Sequence, residues 1–156
     1  MKVYDCFMYH NEDVILDLRL NFLDKFVDFF VILESEYNHK GKKKNLNFDI
    51  NKFSNFKNKI RYFALNELPA NIEKIVDSDS DGEKSRKYIL NGYRRDHFQR
   101  NHVLKGIEDA SFEDFIIISE ITFLLAPLIF FKESFSSNYR TLLLSDKKFN
   151  LFKIFF

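Results

Sequence analysis

The chain of 156 residues has a single cysteine, Cys6, and no tryptophan. One thiol excludes an intramolecular disulfide and fits a reducing compartment, so a cytoplasmic location is expected. Nor does charge of one sign dominate: 24 Lys plus Arg stand against 23 Asp plus Glu, for a net charge of +1. No global field therefore favours nucleic acid or an anionic membrane, and the one dense basic run, Lys40–Lys44, reads as a solvated loop. Long hydrophobic runs are absent too. The longest, Ile121–Phe131, falls short of the about 20 residues that cross a bilayer, so no transmembrane segment is expected. Lys2–Tyr9 enters a strand-like run at once, without the basic and apolar regions of a signal peptide. There is no GxSxG, no Walker motif and no His/Cys cluster with metal-ligand spacing, which leaves serine-hydrolase, P-loop and zinc chemistry without support.

What is present reads as one α/β domain. Val3–Tyr9 is β-branched and aromatic, a first strand. Asn11 is placed as a helix N-cap, with Glu12 and Asp13 in the first turn where the helix dipole favours anions. Ile15, Leu18, Phe22 and Phe26 then form an apolar stripe on a helix of about four turns. Phe29–Leu33 is a continuous apolar run ending at Glu34, as expected of a parallel strand covered on both faces. Strand, helix and strand make a βαβ unit. Ser35–Asn47 is a polar surface loop around Gly41, Lys59–Leu65 a third strand, and Asp77–Glu83 a solvated loop. A second helix is expected from about Ser85 to Ile107, with Tyr93, Arg100, Leu104 and Ile107 on one face. The strand Asp114–Ser119 follows and stops at Glu120.

That last strand locates the expected site, because ligands of open α/β sheets bind just past the carboxyl ends of strands. Strand residues rise about 3.3 Å and helix residues about 1.5 Å, so the helix positions level with Ser119 are roughly Arg94 to Asn101. Arg94, Arg95, His97 and Arg100 could hold a diphosphate through bidentate guanidinium contacts, or simply form a solvated helix face. Arg100 shares a face with apolar residues, and a buried arginine needs an anionic partner. Glu34 either accepts from a nucleotide ribose or base, or is an exposed strand end. Asp77–Gly82 imitates the start of a calcium loop, but its twelfth position is Tyr88 rather than a bidentate Glu. An EF-hand is excluded, leaving at most a weak divalent site.

Four blocks in register across residues 3–119 resemble glycosyltransferase family 17, the β-1,4-mannosyl-glycoprotein β-1,4-N-acetylglucosaminyltransferases and their bacterial relatives. Tyr4-Asp5-Cys6-Phe7, Asn11-Glu12 and Leu18-Arg19-Leu20 are similar to the family's opening. Val27-Asp28-x-Phe30-Val31-Ile32-x-Glu34 resembles its second strand, and Gly41-x-x-Lys44-x-Leu46-x-Phe48 its following loop. Phe98-Gln99-Arg100-Asn101 with Asp114-x-Ile116-Ile117-Ile118-Ser119 resembles its helix and strand near the donor site. The resemblance implies a GT-A-like, Rossmann-like nucleotide-sugar-binding half with a mostly parallel sheet and flanking helices. It also implies a UDP-sugar donor, UDP-N-acetylglucosamine, a glycan acceptor, and Mn²⁺ or another divalent metal. On it, Asn11, Glu34, Arg100 and Asn101 are the expected donor-binding residues, with Arg100 on the diphosphate and Glu34 and Asn11 on the nucleoside. Glu120 is the expected metal ligand.

The resemblance stops abruptly. Where the family continues Ser-Asp-x-Asp-Glu-x-Pro, this chain reads Ser119-Glu120-Ile121-Thr122-Phe123-Leu124-Leu125. Residues 1–119 are thus a donor-binding region and residues 120–156 an atypical apolar tail unlike an acceptor-binding half. A truncation or frameshift near residue 119 is the hypothesis for this change. Reading the downstream DNA in the other two frames tests it, and finding no Asp-x-Asp-Glu in either frame ends it. Two further readings compete with an active transferase. One is a catalytically inactive remnant, or a nucleotide-binding or structural module lacking the metal site. The other is an unrelated flavodoxin-like or nucleotide-binding domain. An exposed Phe123–Phe131 would favour self-association.

Overall fold

The computed structural model of the chain describes residues 1–122 together with the backbone of two strands at 141–144 and 147–153. The Phe123–Phe131 run, with its expected self-association, lies outside the described residues. Among the described residues, six strands form one sheet: β1 (Val3–Tyr9), β2 (Phe29–Ser35), β3 (Ile60–Leu65), β4 (Phe115–Ile118), β5 (Thr141–Leu144) and β6 (Lys147–Lys153). Their order is β3-β2-β1-β4-β6-β5. β3, β2, β1, β4 and β6 run parallel, and β5 pairs with β6 antiparallel. The helices are α1 (Asp13–Leu23) and α2 (Asp81–His102), with short 3₁₀ segments at Ile50–Phe56 and Val103–Ile107. This is the expected α/β, Rossmann-like architecture.

The central strands alternate between two cores, as a pleat of period two requires. Val3, Phe7, Phe30, Ile32 and Ile117 pack with Leu16, Leu20 and Leu23 of α1 and with Phe53 and Phe56. Tyr4, Cys6, Val31, Leu33, Ile116 and Ile118 pack with Val103 and Ile107 beyond α2. Both faces of β1, β2 and β4 are therefore covered, which is why these segments read as continuous apolar runs. The Val103–Ile107 segment lies so close to the sheet that a Cβ on Gly106 would stand 2.2 Å from Val31 Cγ1. Asp114 and Asp28 secure the start of β1 by accepting from the backbone N–H groups of Lys2 and Val3.

Helix details depart from the expectations. The face that α1 buries is Leu16, Arg19, Leu20 and Leu23. Leu18 and Phe22 of the expected stripe are exposed, and Phe26 lies beyond the helix end and is exposed as well. An apolar periodicity passes over the true face because an arginine sits in the middle of it. Asn11 is not the N-cap. Glu12 holds that position without a side-chain cap bond, and its carboxylate instead accepts from the backbone of His10 and Asn11. α2 begins at Asp81, earlier than expected, because Ser80 and Glu83 form a reciprocal capping box. The acidic stretch is thus partly the first turn of a helix, and Asp79 is bonded to Lys87 and the Val76 N–H. Of the expected apolar face of α2, Tyr93 is exposed, and the residues buried within the helix are Asn91, Arg95 and Arg100.

Candidate functional site

Parallel pairing brings the carboxyl ends of β1, β2 and β4 to one edge of the sheet, with Tyr9 opposite Glu34 and Cys6 opposite Ile118. A cleft of about 100 Å³ opens there. Its walls are Met8–His10 and Glu12 after β1, Ser35 and Tyr37–His39 after β2, Asp96 and Gln99 of α2, and Glu120 with Ile121 after β4. The cleft lies at the strand ends where a site is expected.

Beneath the cleft lies a fully buried ion pair. Arg19 and Asp5 both have side chains with 0% exposure. Arg19 donates from Nε to Asp5 Oδ2 at 2.8 Å and from Nη2 to Asp5 Oδ1 at 2.7 Å. Nη2 also donates to Ser119 Oγ at 2.7 Å, and Nη1 to the carbonyls of Glu120 and Ile121, each at 3.1 Å. An arginine has five N–H donors, and these bonds employ all of them. The guanidinium also lies over the Phe7 ring, 4.7 Å from its centroid. A buried charge is tolerated when it is paired and hydrogen-bonded in this way. The consequence for the site is geometric: Arg19 fixes the backbone just after β4, and so fixes where Glu120 enters the cleft.

Glu120 itself is 44% exposed at the side chain and pairs with Arg100, whose side chain is 9% exposed. Arg100 also donates from Nε to Asp96 at 2.8 Å. Burial opposes the charge of Arg100, but Asp96 and Glu120 outweigh it and hold the group above the ordinary arginine value. Arg100 does not itself line the cleft, but it stands level with the end of β4, where it meets Glu120. Helix counting also put Arg94, Arg95 and His97 near the site, and these do not line the cleft. Arg94 pairs with Glu73, Arg95 bonds to the carbonyl of His39, and His97 lies against Tyr93. The residues of α2 that line it are Asp96 and Gln99.

Glu34 is neither exposed nor open to a ligand. It is fully buried and accepts from Lys44 Nζ at 2.5 Å, from the backbone N–H groups of Asn47 and Phe48, and from the Tyr62 hydroxyl. Burial, followed by the charge and hydrogen bond of Glu34, pushes the Tyr62 hydroxyl well above its ordinary range. Glu34 therefore anchors the loop between β2 and the first 3₁₀ segment, and the same loop supplies Tyr37–His39 to the cleft. Asn11 and Asn101 are exposed and do not line the cleft.

The described residues do not offer a donor set for a protein-held divalent ion. Among the described residues no three His, Cys, Asp or Glu side chains converge as metal ligands. Glu120, the expected ligand, shares its carboxylate with Arg100. Asp5, Arg19, Ser119 and Lys44 were missed as organisers of the site. A signal existed for the first two: an aspartate inside an otherwise apolar strand and an arginine inside an apolar helix stripe are opposite charges that burial forces together.

The sequence model of glycosyltransferase family 17 matches residues 1–124. No curated protein and no solved structure matches the chain.

Proposed function

The chain belongs to glycosyltransferase family 17, and from that premise we propose that the cleft takes the diphosphate of a UDP-linked sugar, UDP-N-acetylglucosamine, for transfer to a glycan acceptor. The observation that carries this reading is the Arg100–Glu120 pair at the carboxyl edge of the sheet. A guanidinium fork suits a diphosphate as well as it suits a carboxylate. The diphosphate displaces Glu120 from Arg100, while Asp96 keeps the fork oriented. A cleft of about 100 Å³ is smaller than the several hundred Å³ that usually enclose a whole ligand. It holds the diphosphate end, and the nucleoside lies along the Tyr37–His39 loop. Glu34 serves the nucleoside indirectly, by holding that loop, and Asn11 and Asn101 flank the site without entering it.

Binding without turnover is the second reading. It is favoured by the lack, among the described residues, of a carboxylate cluster that would hold a metal on the diphosphate. Calorimetry with UDP-N-acetylglucosamine, in Mn²⁺ and in EDTA, tests both. Binding that needs Mn²⁺ and is accompanied by release of UDP supports transfer. Binding that persists in EDTA without release supports the second reading, and no binding in either medium ends both. Arg100→Ala should weaken UDP binding about tenfold or more, the value of a lost charge-assisted contact. Unchanged affinity removes Arg100 from the diphosphate.

A further inference from the structure

A second cleft, of about 470 Å³, adjoins the first and shares His39 with it. Arg95, Lys40, Gly92, Tyr88 and Ile89 complete its lining, and no acidic residue is among them. Its chemistry is set by Arg95. That residue is only 6% exposed, yet among the described residues no carboxylate pairs with it. Its hydrogen-bond partner is neutral: Nε and Nη2 both donate to the carbonyl of His39, at 2.9 and 2.5 Å. Among the described residues, the other arginines this enclosed have an acid beside them, Asp5 for Arg19 and Asp96 with Glu120 for Arg100. A buried cation that lacks a counter-charge is costly, and an arriving anion relieves that cost.

The loop opposite is shaped to leave the guanidinium accessible. Gly41 has φ of +78°, a conformation that suits glycine, and a Cβ there would stand 3.0 Å from Arg95 Nη1. A side chain at position 41 would crowd the nitrogen that the His39 carbonyl leaves unclaimed. Gly92 likewise keeps the helix wall bare, with no atom within 4 Å of where its Cβ would lie. Lys40 adds a second cation on the loop side. Tyr88 and Ile89, 56% and 75% exposed, offer an apolar shelf beside the two charges.

We propose that Arg95 and Lys40 form an oxyanion subsite, which receives a phosphate or carboxylate group on a sugar whose ring lies against Tyr88 and Ile89. Because the cleft meets the donor cleft at His39, the anionic ligand is the acceptor, an acidic or phosphorylated glycan. That last assignment rests on the glycosyl-transfer reading; the anion site itself does not.

Titrating the full chain with inorganic phosphate and, separately, with glucuronate tests the proposal, following by NMR the backbone amide resonances of His39 and Gly92, which line the cleft and persist in every variant. A saturable shift is expected, with phosphate or glucuronate the tighter according to which group the acceptor carries. Lys40→Ala, an exposed change that leaves the fold intact, should weaken the tighter anion about threefold. Arg95→Lys, which removes the fork, should weaken it about tenfold. No saturation by either anion overturns the subsite, as does saturation that neither variant weakens. The two readings fail separately: UDP binding without anion saturation removes the subsite alone, and anion saturation without UDP binding removes the donor assignment alone.

Discussion

Two arginine–carboxylate pairs meet at the end of β4, and they differ in almost everything but chemistry. Arg19–Asp5 has no exposed surface on either side chain, and its five donors are spent on a carboxylate, a hydroxyl and two carbonyls. Arg100–Glu120 has one partner 44% exposed at the cleft. In the first, no ligand can replace a partner without opening the core. In the second, the proposed function has an incoming anion take the place of Glu120 at the guanidinium, and the exposure of Glu120 allows it. One fold edge thus carries a fixed pair that holds the backbone and a second pair that reaches the cleft through Glu120, the pair assigned to the ligand in the proposed function. Burial separates the two roles, and residue type does not.

The largest effect expected from this contrast is on Arg19. Arg19→Ala leaves Asp5 as a buried, unpaired carboxylate, which costs about 3–5 kcal/mol. Urea denaturation measures it, and a loss below about 1 kcal/mol would break the comparison. The double variant with Asp5→Ala should recover part of the loss, since coupling between paired residues makes their effects non-additive. A smaller effect is expected at Glu120. Glu120→Gln should change stability by less than about 1 kcal/mol, as for other partly exposed pairs. It should also leave UDP affinity equal or tighter in calorimetry without metal, because the competitor for Arg100 has lost its charge. A large stability loss there would show that the pair is fixed after all.

The smallest effect belongs to a third pair at the surface. Arg61 grips Asp109 through two bonds, at 2.5 and 3.0 Å, and lowers its pKa to about 2. A depressed carboxyl stabilises the fold above its unfolded pKa of about 3.9, and that contribution is lost as pH falls through about 2. Asp109 is 48% exposed, so screening keeps the contribution under about 1 kcal/mol. The urea midpoint of the native chain should exceed that of Asp109→Asn at pH 5, and the gap should close towards pH 2. A gap that stays constant would remove the pair from the scale.

Much of this was legible in the residues. The strands were readable because both faces of β1, β2 and β4 are covered, so apolar runs and strands coincide. The height of Arg100 beside the end of β4 followed from the rise per residue. The face of α1 was not legible, because its central buried residue is charged and its partner lies on another element. Glu34 misled for a similar reason. A carboxylate ending an apolar strand looks open to a ligand, and the donors that fill it, Lys44 and the N–H groups of Asn47 and Phe48, come from a loop that periodicity does not describe. The interactions that organise the site are long-range polar contacts, and sequence patterns record chiefly the apolar ones.

The Arg19 node also sets an order in time. Its bonds to Asp5 span 14 residues, whereas those to Ser119, Glu120 and Ile121 span 100 to 102. Closing the longer loop costs about 2 kcal/mol more in chain entropy. As the chain is made from its amino end, Arg19 and Asp5 can meet while the rest of the sheet is still unmade, with three of the arginine's donors waiting. They are satisfied only when β4 docks beside β1, in the same event that delivers Glu120 to the cleft. The ligand edge is therefore finished after the Arg19–Asp5 pair can form, and the docking that satisfies the arginine also sets the cleft.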